Sequence, residues 1–222
     1  MIILKKIKYF LVTLLVLNSA LFASEIQDNQ ILKNKLYNFT SKKINEDMGT
    51  SWNLTGLFIE KYVSNLSFIK NPKLKLFNEG LITNISSDTA IDPTGEMEEI
   101  YLENNVTINR NSFKNNDVVK LYTSYAIFYL SKNIVETDRG VTIITSDSTT
   151  TGNGMSANLD EGVITILSDV KRIVKKDNQL QTINGNQMIY NTKTREWIVK
   201  KTPAENLKNT IKGKVSTQFN LE

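Results

Sequence analysis

The stretch IYLENNVTI, residues 100–108, decides the fold class of this chain. Its apolar residues stand at 100, 102, 106 and 108, so in an extended strand they share one face while polar residues occupy the other. Such a strand belongs to a sheet with one dry and one wet surface. An amphipathic helix would instead need apolar residues three and four positions apart. Residues 100–108 therefore predict a β-strand.

The same alternation continues on both sides of this strand, from about Trp52 to Val199, in segments rich in Thr, Val and Ile. Turn signals separate the segments at residues 78–80 (NEG), 92–95 (DPTG) and 160–162 (DEG). The chain is therefore predicted to be all-β. In the strand after residues 100–108, one face is predicted to carry Val119, Leu121, Thr123, Tyr125 and Ile127.

A weak internal repeat fits stacked β-hairpins. Residues 154–157 (GMSA) are similar to residues 185–188 (GNQM), and each segment begins a strand that returns through a polar turn. Two-strand repeats predict layers stacked along one axis, because a single unit cannot bury its dry face alone. Hairpins of similar length also recur by chance in β proteins, so both interpretations stay open at the level of sequence.

Composition excludes several classes of function. The chain has no histidine and no cysteine, which removes His-based triads, thiol nucleophiles, disulfides and thiolate metal sites. The sequence contains neither a phosphate-binding loop nor the basic and aromatic pattern of nucleic-acid binding, and no cofactor is expected. Part of the net charge of +4 comes from a cluster that could face an anionic partner or form a solvated strand end: Lys171, Arg172, Lys175 and Lys176.

The N-terminus has the three parts of a secretory signal. Lysines within residues 5–8 precede the apolar run 9–23, and polar residues follow from residue 24. This segment is predicted to be a cleaved signal peptide or a retained membrane anchor, and either one places the body outside the cytosol. The predicted organisation is a signal or anchor at 1–24, a linker with a marginal helix or first strand at 25–48, a β domain at 49–200, and a tail or edge strand at 201–222.

Five short motifs follow one another along the chain: GTSWNLTG at 49–56, NPKL at 71–74, the strand at 100–108, ETDRGVTI at 136–143 and GNGM at 152–155. In order and spacing they resemble the LptC family, the periplasmic component of the lipopolysaccharide export ABC transporter, within the LptA/OstA-like superfamily. The resemblance covers about residues 47–175, and the chain beyond adds a repeat-like unit, as in LptA, the related soluble bridge protein. It implies a β-jellyroll of two facing antiparallel sheets.

The resemblance also implies a V-shaped apolar groove in which acyl chains lie while the glycan stays outside. An acyl chain there would be stabilised by about 25 cal/mol for each Å² of apolar area removed from water. The inward apolar residues are the candidates for this groove, and closed-core packing is the alternative reading of the same residues. They are Leu74, Leu76, Ile85, Leu102, Val106, Ile108, Leu121, Val141, Ile143, Met155, Leu159 and Val163.

Open strand edges suggest how partners bind, because an unpaired edge is a template for a strand of another chain. The N-terminal edge, around residues 57–63, is expected to meet the jellyroll of the inner-membrane exporter. The C-terminal edge, around residues 186–199, is expected to meet the LptA-like bridge protein, and the resemblance puts Gly154 near the exit end of the groove. The candidate interface residues are Leu57, Ile59, Lys61, Gly154, Met188 and Trp197.

The resemblance implies transport rather than catalysis. The protein is expected to receive lipopolysaccharide from the exporter permeases with their ATPase and to pass it to the bridge, in the periplasm and in association with the inner membrane. The alternatives are a soluble LptA-like bridge protein, a surface β-solenoid or adhesin, and a secreted glycan hydrolase with paired carboxylates. The hydrolase would draw on two acidic groups: Glu96, Glu98 and Glu99, and Asp160 and Glu161.

Overall fold

The computed structural model describes residues 31–44, 50–78, 81–112, 118–176, 179–200 and 216–219. Over these ranges the backbone forms strands joined by turns and bends, and it contains no helix, so the all-β prediction is confirmed. The described segments accordingly include no helix with the length and apolarity that a bilayer crossing requires. The predicted signal peptide or anchor, residues 1–24, lies outside the described residues.

The described residues form one continuous antiparallel sheet. Its central order is β15-β14-β13-β11-β10-β9-β8-β7-β5-β4-β2-β3-β6, with β1 paired to β2, β12 to β11 and β6 to β7. In chain order the strands are β1 (Leu32–Ile44), β2 (Thr50–Tyr62), β3 (Ser67–Lys70), β4 (Lys73–Asn78), β5 (Leu81–Ser86), β6 (Thr89–Asp92), β7 (Glu99–Ser112), β8 (Val118–Tyr129), β9 (Ile134–Ile144), β10 (Ser148–Asn158), β11 (Val163–Lys176), β12 (Gln179–Gly185), β13 (Gln187–Asn191), β14 (Trp197–Lys200) and β15 (Ser216–Phe219).

Long strands divide their pairing between two partners on the same side, which folds the sheet into two layers. The first half of β2 pairs with β4 and its second half with β3. β7 pairs through residues 101–103 with β6 and through residues 107–112 with β5. β11 divides in the same way between β13 and β12. This arrangement is consistent with the predicted jellyroll.

The two layers enclose one hydrophobic core. The first layer consists of β4, β5 and β12, together with the halves of the long strands that lie beside these three strands. The second layer consists of β3, β6, β13 and β14, together with the other halves of the long strands. Ile85 and Ile143 of the first layer belong to the same buried cluster as Ile69 and Phe128 of the second. The inner faces of both layers therefore face each other.

The long strands bend along a crease where the layers meet. A bulge bends a strand, and Asn, Asp and Gly adopt positive φ at the lowest cost. Side chains tie neighbouring bends together: Asn105 Nδ2 donates to Asp88 Oδ2 at 2.9 Å, and Asn153 Nδ2 donates to Asp169 Oδ2 at 3.0 Å. The residues with positive φ along the crease include Asn71, Asn104, Asn105, Gly154 and Asp169.

The crease also changes which residues of a strand face the core. In β8 the residues up to Thr123 alternate as predicted. Beyond the bend, Ala126 and Phe128 take the inner positions and are 0 % exposed. The prediction that Tyr125 and Ile127 continue the inner face is wrong, because the register shift between residues 123 and 127 inverts the alternation.

The predicted N-terminal edge is an interior strand. Residues 57–62 belong to β2, which has β1 on one side and β3 and β4 on the other. The outer strand is β1, within the segment predicted as a linker with a marginal helix or a first strand, so the strand alternative is the one found. Most side chains of β1 are exposed on both faces, so no dry face marks this strand in the sequence.

The predicted C-terminal edge is also covered. β13 lies between β11 and β14, and β14 pairs in turn with β15. Residues 186–199 therefore do not contain the outermost strand. Within the segment predicted as a tail or an edge strand, residues 216–219 form an edge strand.

Candidate functional site

Nearly all residues predicted for the groove are buried in the hydrophobic core between the two layers. They come from both layers and pack together in the core. All except Val163 are at most 8 % exposed: Leu74, Leu76, Ile85, Leu102, Val106, Ile108, Leu121, Val141, Ile143, Met155 and Leu159.

Val163 lies on the outer face of β11 and is only half-buried. It pairs directly with Asn158 across the β10–β11 hairpin, and directly paired residues of antiparallel strands share a face. Ile164 and Ile166 point inward instead. The prediction that Val163 lines the groove is therefore wrong, because the turn at 160–162 starts the new strand on its outer face.

The middle of the cleft is closed. Val106 and Ile143 of the first layer and Phe128 of the second are 0 % exposed. Packing of this kind leaves no continuous channel for an alkyl chain. The groove residues therefore form a closed core in this structure, and space between the layers is found at the rim.

That space lies among the strand ends and turns opposite the crease, a region that we call the mouth. A cavity of about 940 Å³ occupies it, near the upper end of the volumes usual for ligand sites. The first layer contributes Trp52, Leu76 and Arg110, and the second layer contributes Met97 and Leu130. Apolar and charged side chains share the lining, so the cavity suits an amphiphilic molecule.

Two hydrogen bonds cross the mouth from layer to layer. Asn78 Nδ2 on β4 donates to Asp160 Oδ1 at 2.7 Å. Arg110 on β7 donates through Nη1 to the carbonyl oxygen of Leu159. We call these two contacts the mouth bridges. Within the second layer, Asn133 Nδ2 donates to both oxygens of the Asp160 carboxylate at 3.0 and 3.1 Å, which holds that carboxylate in place.

A buried arginine and two stacked rings close the end of the cleft near the C-terminal strands. The rings of Tyr190 and Trp197 stack with centroids 3.9 Å apart, and the guanidinium carbon of Arg172 lies 4.2 Å from the Trp197 ring centroid. Arg172 Nη2 also donates to Ser148 Oγ at 3.1 Å and lies 3.5 Å from Asp147 Oδ2. Burial raises the pKa of the Tyr190 hydroxyl to about 12, and the charge of Asp147 adds to this effect.

The predicted basic cluster is divided by the fold. Lys171 and Lys175 are exposed on the outer face of β11, whereas Arg172 is 2 % exposed on the inner face. The side chain of Lys176 lies outside the described residues. Arg172 therefore cannot join a surface patch, because alternation along the strand turns it into the core.

Several candidate interface residues are also interior. Ile59, Met188 and Trp197 belong to the buried cluster and offer no side-chain surface to a partner. Leu57 is exposed on β2. Gly154 lies buried at the crease with a φ of +67°.

Sequence reasoning missed Arg110, although a signal for it existed. It continues the even-numbered dry face of residues 100–108, and a charged residue on such a face indicates a special role or a strand end. The acidic groups considered for a hydrolase contribute Glu96, Glu98, Asp160 and Glu161 to the mouth cavity. Within the described ranges, no group of three or more acidic residues is arranged to hold a metal ion.

A family profile described as lipopolysaccharide-assembly, LptC-related matches residues 9–175. No curated protein is similar enough to be matched to the chain. The match begins in the apolar N-terminal run, includes β1 to β10 and nearly all of β11, and ends before β12. Both mouth bridges lie within it. Since the match covers well over half of the sequence, this chain belongs to the LptC-related family of lipopolysaccharide assembly.

Proposed function

We propose that this protein receives lipopolysaccharide from an inner-membrane ABC exporter, holds its acyl chains between the two layers and passes it to a periplasmic LptA-like bridge. The family is a transport component and is not known as an enzyme family. The observation that carries the proposal is the apolar inner surface of both layers, which leads to the cavity in the mouth.

Acyl chains enter this cleft when the layers separate. Separation exposes core side chains at a cost of about 25 cal/mol for each Å² of apolar area, and an acyl chain that covers the same area restores that stabilisation. The mouth bridges break first because they lie at the rim, where the contact between Asn78 and Asp160 is exposed to water. Loading therefore exchanges contacts between the layers for contacts with lipid. A partner ATPase supplies the energy that drives it in one direction.

The outer strands support a choice of partner edges. β1 is 13 residues long and, among the described strands, pairs only with β2. A free edge of this length can add a strand from the jellyroll of the exporter. Leu36 and Tyr37 are exposed along it. We assign the exporter to this edge and the bridge protein to the opposite end of the sheet, where β12 and β15 are the outer strands.

A soluble bridge-like role is the second candidate. It is favoured by β12 to β15, which extend the sheet beyond the residues matched to the family. N-terminal sequencing of the mature protein separates the two roles. A chain that starts at Ser24 favours the soluble bridge, and an intact Met1 favours a component of the periplasm that stays associated with the inner membrane.

Photo-crosslinking at a matched pair of residues tests the transport proposal. Ile143 is 0 % exposed in the cleft, and the adjacent Ile144 is 37 % exposed on the outer face of the same strand. A photoreactive amino acid at Ile143 should form an adduct with lipopolysaccharide when exporter and ATP are present, and one at Ile144 should not. Equal adducts at both positions, or an adduct at Ile143 that is independent of ATP, would contradict the proposal.

A further inference from the structure

Arg110 is a buried cation that forms no ion pair with a carboxylate of the described residues. Its side chain lies on the inner face of β7 at the mouth and is 7 % exposed. Among the described residues it donates to the carbonyl oxygen of Leu159, and no carboxylate lies within 4.0 Å of it. Arg172, the other buried arginine, has Asp147, Ser148 and the Trp197 ring around it. The charge of Arg172 is therefore balanced by a nearby carboxylate, whereas the charge of Arg110 is not in contact with one.

An arginine in this position favours an additional anion. A guanidinium has five N–H donors in a planar fork that matches carboxylate and phosphate oxygens. Burial lowers the pKa of Arg110, because desolvation disfavours the charged form, and the charge of Asp160 partly opposes this effect. The side chain still carries its charge at neutral pH. A buried charge that is in contact with no counter-ion is costly, and an anion that reaches the cavity relieves that cost.

Four carboxylates also border the cavity and must be weighed against an anion. Glu96, Glu98 and Glu161 are exposed, so water and salt screen their charges. Asp160 accepts hydrogen bonds from Asn78 and Asn133. Arg110 acts from a buried position, where screening is weaker.

The rim adds two more cations to the same cavity. Lys43 and Lys193 line it, together with Arg110. Both lysines are exposed, so water and salt screen them as they screen the carboxylates, and the buried charge of Arg110 is the one that favours an anion.

We propose that Arg110 binds the anionic group, a phosphate or a carboxylate, of an amphiphile in the mouth cavity. The alkyl part of the ligand lies against Leu76 and Leu130, which line the same cavity, and points toward the core. This inference rests on the proposed function, and it specifies that the lipid enters with its negative group held at the inner end of the mouth. On binding, Arg110 exchanges the Leu159 carbonyl for the anion, so the same step that captures the headgroup opens one mouth bridge.

Isothermal titration calorimetry on the purified protein tests this with dodecyl phosphate, dodecyl maltoside and inorganic phosphate. A bond to a charged partner contributes about 1.5–3 kcal/mol, so dodecyl phosphate should bind at least about tenfold more tightly than dodecyl maltoside. Arg110→Gln should remove this preference and leave maltoside binding within about twofold, because glutamine can still donate to Leu159. Arg139→Gln, which changes an exposed arginine at the crease, should leave both affinities unchanged.

Asp160→Asn gives a second and independent readout. It removes the nearest negative charge and keeps an oxygen that accepts from Asn78 and Asn133, so dodecyl phosphate should bind more tightly than to the unchanged protein. This variant keeps the inference testable if circular dichroism shows that Arg110→Gln does not fold.

The outcomes separate this inference from the proposed function. Equal affinity for the two dodecyl compounds, or a preference that survives Arg110→Gln, overturns the role of Arg110 and leaves the acyl cleft intact. If inorganic phosphate binds as tightly as dodecyl phosphate, the ligand is not an amphiphile and the site binds free phosphate. If neither dodecyl compound binds, the inference fails together with the cleft.

Discussion

At the scale of single residues, the crease depends on side chains that tolerate a left-handed backbone. Asn38 and Asn105 belong to Asn-x-Ser/Thr triplets that composition alone would explain, yet both have positive φ, 48° and 50°, in the middle of long strands. Gly154 has the same conformation, and a Cβ atom there would lie 3.0 Å from Leu167 Cδ1. The backbone conformation therefore explains why asparagine or glycine occupies these positions, and no contact with a partner protein is needed to explain them.

Gly154→Ala should lower the free energy of unfolding by about 1–2 kcal/mol, because an L-residue is strained at positive φ. Urea unfolding followed by Trp fluorescence measures the loss. Gly140→Ala is the matched control: it lies opposite the same bend, and its added Cβ would meet nothing closer than 3.7 Å. Equal losses for both variants would show that the crease does not need this conformation.

The Tyr190 hydroxyl makes stability fall at high pH. Its pKa is about 12 in the folded protein and about 10 in the unfolded chain, so the folded state keeps its proton longer. The contribution is complete below pH 10 and is lost as pH rises toward 12, by about 2 kcal/mol at pH 11.5. Urea midpoints between pH 9 and 11.5 should therefore fall less steeply in Tyr190→Phe. The same slope in Tyr190→Phe as in the unchanged protein would reject this assignment, and Tyr122→Phe, an exposed change, is the control.

At the scale of elements, β1 is held by local contacts rather than by deep burial. Lys35 Nζ lies 2.6 Å from Glu60 Oε1 and 3.8 Å from the centroid of the Phe58 ring. The hydrogen bond between Lys35 and Glu60 raises the pKa of Lys35 and lowers that of Glu60, but an ion pair near the surface contributes little to stability. Phe39 packs on the backbone of Gly56 and against the core. We infer that Phe39 is the main apolar attachment of the strand.

Phe39→Ala should loosen β1 while the rest of the sheet stays folded. Losing a half-buried ring should lower the free energy of local opening by about 2 kcal/mol. Hydrogen exchange followed by mass spectrometry should show faster exchange in residues 32–44 and unchanged exchange in β9 and β10. Leu36→Ala removes an exposed side chain of the same strand and should change neither. Uniformly faster exchange in Phe39→Ala would mean that β1 is part of one cooperative unit.

The elements also show why some strands were found in the sequence and others were not. β7 has a buried face and an exposed face, and its pattern predicted it directly. β1 lacks that contrast, so only its pairing with β2 identifies it. The repeat at residues 154–157 lies in β10, and the repeat at residues 185–188 runs from the end of β12 into β13; β10 and β13 lie on either side of β11.

At the scale of the whole molecule, the closed core means that the proposed binding of lipid between the layers requires movement of one layer relative to the other. The mouth bridges join the layers at the rim, and Arg172 with Trp197 joins them at the far end. The cavity lies beside the mouth bridges. Opening is therefore expected to begin there, next to the space that already separates the layers.

A reversible link across the mouth should block loading. The chain has no cysteine, so Asn78→Cys with Asp160→Cys provides one reactive pair, which a short bis-methanethiosulfonate reagent can join. The linked protein should lose the lipopolysaccharide adduct at Ile143, and dithiothreitol should restore it.

The control links residues of a single layer. Asn133→Cys with Asp160→Cys joins two turns of the second layer that lie in hydrogen-bond contact and should leave loading unchanged. Normal loading of the protein linked from Asn78 to Asp160 would mean that lipid enters the cleft by another route.

The sequence by itself determined the all-β class, the family and most inner residues, because alternation along a strand is local and has a period of two. Leu102 and Ile143 could be assigned to the inner face from their immediate neighbours. The tertiary structure decided where that alternation inverts, as after Thr123, and which strand is outermost, because both depend on pairing between distant segments. It also decided that the cleft is closed in the middle and that Arg110 lies in its mouth, since the spacing of two layers results from packing across the core and leaves no trace in the pattern of either one.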